Sequence, residues 1–163
     1  MALVKDGAIV EDPWTRVADE AALPDGPALV SLVRWRAQAA SLRGHNHGLG
    51  VVLANDETVD EIAGDLERFD LVCLEFPKFQ DGRAYSQARQ LRQRHGFTGE
   101  LRATGNVLRD QLLFMIRCGF DAFEVNDPAL VQAWQRALTE ITVAYQQAAD
   151  TRRTAIDLRT GAG

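Results

Sequence analysis

The stretch LVCLEFPKFQDGRAYSQARQLRQRHGFTGELRAT, residues 71–104, decides the fold. It opens on a six-residue apolar run, 71–76, short enough to be a buried strand. A long polar loop follows, and then a helical pattern from Tyr85 to His95 that stops at Gly96, a suitable position just past a helix end. A second run, 100–104, restores the strand pattern. Strand, helix and strand in that order describe a crossover unit of a parallel sheet.

The same rhythm extends in both directions. Apolar runs at 28–32, 50–54 and 122–125 are further strands, separated by helical stretches. Asp56 or Thr58 caps a helix whose apolar face holds Val59, Ile62, Leu66 and Phe69. Gly105-Asn106 leads into a helix carrying Leu108, Leu112, Met115 and Ile116, closed by Gly119. A last helix after Asp127-Pro128 has the stripe Leu130, Trp134, Leu138, Ile141 and Tyr145. The expected architecture is α/β: about five successive βα units forming a parallel sheet. Whether that sheet is open or a partial TIM-type barrel stays undecided by the pattern.

Before the first unit, LVKDGAIV reads as a small hairpin turning on Asp6-Gly7. Pro13 ends the pairing, and DEAALPDGP reads as a linker. The expected domain plan is one α/β domain over 1–149, with hairpin and linker at 1–27 and βα units at 28–149. A polar, flexible tail follows at 150–163.

With 163 residues, 46% of them hydrophobic, the chain is long enough to bury one core. A formal net charge of -5 argues against sequence-independent nucleic-acid binding. No apolar run approaches a membrane span, and the N-terminus lacks a signal-peptide core, so a cytoplasmic protein is expected. Cys73 and Cys118 sit inside apolar patterns and read as buried thiols.

Three charges interrupt apolar strands: Glu75, Arg102 and Glu124. An unpaired buried charge is costly. If the three share a face, Arg102 neutralises a glutamate on either side; otherwise each points to solvent at a strand end. Cations also gather around two loops. Lys78, Arg83, Ser86 and Arg89 follow the third strand, while Gly105, Asn106 and Arg109 follow Arg102 on the fourth. Together they suit an anion, with Asp81, Glu75 or Tyr85 as candidate acid or base. The plainer reading is that Asp81 caps a helix, Gly105 makes a turn and the arginines are solvated.

Several chemistries lack their patterns. His45-Asn46-His47 is a loop HxH without a cysteine nearby, so no metal is expected. There is no CxxC, no GxGxxG after a strand and no GxSxG elbow, so no cofactor is expected.

FPKFQDGRAYSQARQLR (76–92), GELRATGNVLRDQ (99–111) and RCGFDAF (117–123) resemble a bacterial family of unknown biochemical function. Its genes commonly lie beside those of assimilatory sulfite reductase. Its members are often labelled probable sulfite-reduction oxidoreductases. The resemblance is strong over about 71–125. It implies an accessory protein of sulfate and sulfite reduction that binds sulfite reductase, another pathway enzyme or an anionic intermediate. An enzyme acting on a small phosphate- or sulfur-containing anion at the 77–86 and 104–109 loops is the alternative, and a structural assembly domain is the third reading. Asn106 stands where the family usually has Asp, which fits a helix cap better than an essential base or ligand. The strand edges of a curved sheet and the stripe around Trp35 suggest a homodimer.

Overall fold

The computed structural model describes residues 1–77, 82–127, 129 and 131–132. Eight strands form one sheet: β1 (Ala2–Lys5), β2 (Ala8–Val10), β3 (Thr15–Arg16), β4 (Ala28–Ser31), β5 (Leu49–Leu53), β6 (Leu71–Phe76), β7 (Glu100–Gly105) and β8 (Ala122–Val125). Their order across the sheet is β2-β1-β8-β7-β6-β5-β4-β3. Strands β3 to β8 are parallel, and β1 and β2 add an antiparallel edge. The sheet is therefore mostly parallel rather than wholly so. It is an open, curled half-barrel.

The hairpin forms at the expected turn. Asp6 and Gly7 both have positive φ, 52° and 76°, as a type I′ turn requires. Strand β3 departs from the sequence reading, in which pairing stopped at Pro13 and a linker followed. Two residues suffice here because Thr15 and Arg16 align beside Ala28 and Leu29.

Helix α1 (Leu32–Leu42) is capped by Ser31, whose hydroxyl accepts from the Arg34 amide at 3.0 Å. The buried Arg34 guanidinium donates to the Ala18 and Ala21 carbonyls at 2.6 and 2.7 Å, tying the linker to this helix. Between β5 and β6 the expected α-helix is instead two 3₁₀ segments, Val59–Glu61 and Ala63–Arg68. Gly64 lies within the second, where glycine disfavours a regular helix. Helix α2 (Arg83–Arg89) passes into a π-helical turn, Gln90–Arg94. A 3₁₀ turn, Arg109–Gln111, precedes α3 (Leu112–Cys118), which ends at Gly119 with φ 109°. The stripe from Leu130 to Tyr145 and the tail 150–163 lie outside the described residues.

Strand alternation sorts the side chains onto two faces. The convex face carries Val30, Val51, Leu53, Val72, Leu74, Phe76, Leu101, Ala103 and Phe123, all buried against the helices. The concave face holds a small core of Leu29, Leu71 and Cys73, with Trp14 packed on it. Gly50 faces this core. A Cβ there would come within 3.1 Å of Leu71, so the tight bore needs glycine. Both cysteines are free and buried.

Candidate functional site

The concave face is where charge enters the fold. Arg102, at the middle of β7, is 1% exposed. Its Nε donates to Glu100 Oε1 at 2.9 Å. Its two Nη atoms hold the Asp12 carboxylate end-on at 2.8 and 3.1 Å, and Nη1 also donates to Glu124 Oε1 at 3.2 Å. Nη2 further lies 2.9 Å from Glu100 Oε1. Every N–H direction of the guanidinium is thereby engaged. Burial opposes its charge, but the hydrogen bonds with Asp12 and the Glu100 carboxylate more than offset this and hold its pKa above the usual arginine value.

The network continues on both sides. Lys5 Nζ pairs with Glu100 at 3.0 Å. Glu124, 5% exposed, accepts from Thr104 Oγ1 at 2.5 Å and from Arg16 Nη2 at 3.1 Å. Three cations thus alternate with three carboxylates, and their formal charges cancel. Charges can be buried when they are paired and hydrogen-bonded in this way.

Arg16 also measures the curl. It lies on β3 and Glu124 on β8, five strand spacings apart across the sheet. In a flat sheet that is roughly 24 Å. One side chain bridges it, so the two regions of the sheet turn to face each other. Residues 11–14, leaving β2 for β3, run across the mouth as a strap. Asp12 binds Arg102 beneath it, and Trp14 sits on Leu29, Leu71 and Cys73. Burial, with Glu124 nearby, pushes the Cys73 thiol up to about 12.

The sequence-nominated residues fall into three places. Of the two alternatives for the strand charges, the structure takes the shared face: Arg102 and Glu124 meet, and Glu75 lies on the same concave face by alternation, half-buried and in register with Thr104. Arg102 serves the internal network, with no N–H left to offer a ligand. Tyr85 lies on the opposite side of the sheet. Its ring packs edgewise on Phe76 at 5.1 Å and on Phe114 at 4.8 Å, and burial raises its pKa. Arg83, Ser86 and Arg89 are exposed on α2, and Arg89 lies 5.6 Å over the Phe114 ring. Glu75 and Tyr85, two of the candidate acid–base groups, therefore stand on different faces. Lys78 and Asp81 lie outside the described residues.

Gly105 has a backbone reason for being glycine. Its φ is 88°, and an added Cβ would sit 2.6 Å from the Phe76 carbonyl oxygen. That close approach lets the Asn106 amide donate to the same oxygen at 2.7 Å. Arg109 opens the 3₁₀ turn that follows. His45 and His47 bond to the Gly26 carbonyl and to Asp25, and among the described residues no three His, Cys, Asp or Glu side chains form a metal cluster. No helix among the described residues is long and apolar enough to cross a membrane.

Asp12, Arg16, Glu100 and Lys5 were missed as members of the cluster. Glu100 and Arg102 do carry a signal, since residues two apart on a strand share a face. Asp12 and Arg16 carry none, because only the curl brings them in.

A curled α/β sheet with helices outside and a neutralised charge network inside defines the class. Within that class, the chain belongs to a bacterial family of unknown function, DUF934, which it matches over residues 50–156, more than half its length. No curated protein matches it.

Proposed function

We propose that this chain is an accessory protein of assimilatory sulfite reduction that works in the cytoplasm by docking onto sulfite reductase or another enzyme of the pathway. The pathway is suggested by the motif resemblance over residues 76–123. The docking role rests on one structural observation, the face formed by α2 and α3. Phe114 is 46% exposed there, braced by Tyr85 beneath and by the Arg89 guanidinium above. Leu108 is exposed just before it in sequence.

An ordered aromatic side chain beside an arginine is the kind of group that dominates protein–protein affinity. Its conformational freedom is already restricted, so less is lost on binding. The Arg89 guanidinium beside Phe114 favours an acidic group opposite it on the partner. Edge strand β2, with Ile9 and Val10 exposed, supports pairing of two copies as a homodimer.

The test is sedimentation of the purified full chain, alone and with the organism's own sulfite reductase and other sulfate-assimilation enzymes. The chain alone should sediment as a dimer. One of the enzymes should co-sediment with it, and Phe114→Glu should weaken that association at least tenfold while leaving the thermal midpoint within a few degrees. Failure to associate with any of the enzymes, together with normal growth on sulfate after gene deletion, would refute the reading.

A further inference from the structure

The strap that crosses the half-barrel leaves a cavity of about 180 Å³ beneath it. Leu3, Trp14 and Leu29 form apolar walls, and Asp12, Arg16 and Glu124 supply charge. Arg16 is unlike its partner cation Arg102. All its bonds to the cluster, with Cys73, Thr104 and Glu124, run through one nitrogen, Nη2. Its Nε–H and both Nη1 hydrogens have no acceptor among the described residues, and its side chain is 42% exposed. So Nη2 fixes the guanidinium in place while three charged donors remain for another group.

From this we infer that the cavity binds a small singly charged oxyanion, a planar or pyramidal acid anion such as a carboxylate or hydrogen sulfite, on the Nε and Nη1 donors of Arg16. The volume corresponds to roughly six waters, a size that suits a small anion. Arginine N–H groups make strong charge-assisted bonds to such oxygens. The cluster is neutral only with Arg16 counted, so an added anion is held by the local donors of Arg16, whose own pairing is confined to one edge. Asp12 and Glu124 also line the cavity and disfavour a dianion, so a monoanion is preferred over sulfate. This site lies on the concave face, on the other side of the sheet from Phe114, and does not depend on the docking role.

Trp14 makes the site observable. Its indole N–H resonance in the full-length protein, assigned from Trp14→Phe, is followed at mildly acidic pH, where sulfite is mostly hydrogen sulfite and acetate is ionised, during titration with sodium sulfite, acetate, sulfate and chloride at matched ionic strength. Sulfite or acetate should shift it saturably, sulfate at least tenfold more weakly, and chloride not at all. Arg16→Gln should weaken the response at least tenfold. Because that change also touches Glu124, Leu3→Phe provides the second arm: it fills the cavity, leaves every charge in place and should abolish the shift. No saturable shift with either monoanion, an equal response to chloride, or an undiminished response in Leu3→Phe would overturn the inference.

Discussion

Arg102→Met puts the charge network to a quantitative test. Methionine approximates the length of the arginine stem and stays apolar, so the hole left behind is small. What changes is that Asp12, Glu100 and Glu124 lose their common cation. Removing one partner of a buried pair generally costs about 3–5 kcal/mol. Two of the three carboxylates keep a second cation, Glu100 with Lys5 and Glu124 with Arg16. Asp12, the most exposed of the three, keeps only the Trp14 amide. The lower end of the range therefore applies, about 3 kcal/mol at pH 7. For a chain of this size that is a fall of about 6–12 °C in Tm. Urea unfolding followed by circular dichroism measures it directly. Adding Asp12→Asn to Arg102→Met should recover part of the loss. A deficit below about 1 kcal/mol would refute the account of buried, mutually compensated charges.

Two further outcomes are expected. With its thiol pushed up to about 12 by burial beside Glu124, Cys73 should resist a disulfide reagent at pH 8 in the folded protein. Cys118, also raised by burial, should behave likewise, and both should react once urea unfolds the chain. Gly105→Ala should cost about 1–3 kcal/mol by urea unfolding, since it combines a left-handed φ with a clash against the Phe76 carbonyl.

The strands were the legible part of this fold. Buried parallel strands read as short apolar runs, and 71–76 and 122–125 are of that kind. Asp6-Gly7 announced its turn because the pair tolerates positive φ at both positions. Helical geometry was less legible. The residues 59–69 have helical spacing, but a window that includes Gly64 is compatible with 3₁₀ turns too. Strand β3 left almost no trace, being two residues between a proline and a polar stretch, stabilised by a neighbour that begins at residue 28. The site divides in the same way. Arg102 and Glu124 were visible as charges inside apolar runs. Asp12 and Arg16 were not, because they reach the network from 90 and 108 residues away through the curvature of the whole sheet.

That separation has a consequence for synthesis. Chains emerge from the ribosome at roughly 5–20 residues per second, so the partners of the N-terminal hairpin and strap appear several seconds after them. Strand β1 pairs with β8, and Asp12 waits for Arg102. Until then the nascent hairpin carries Leu3, Val4, Ile9 and Val10 with no sheet to join. Strands β7 and β8, the last ones among the described residues, release it from that exposed state, so the N-terminal hairpin and strap are secured only by a late event.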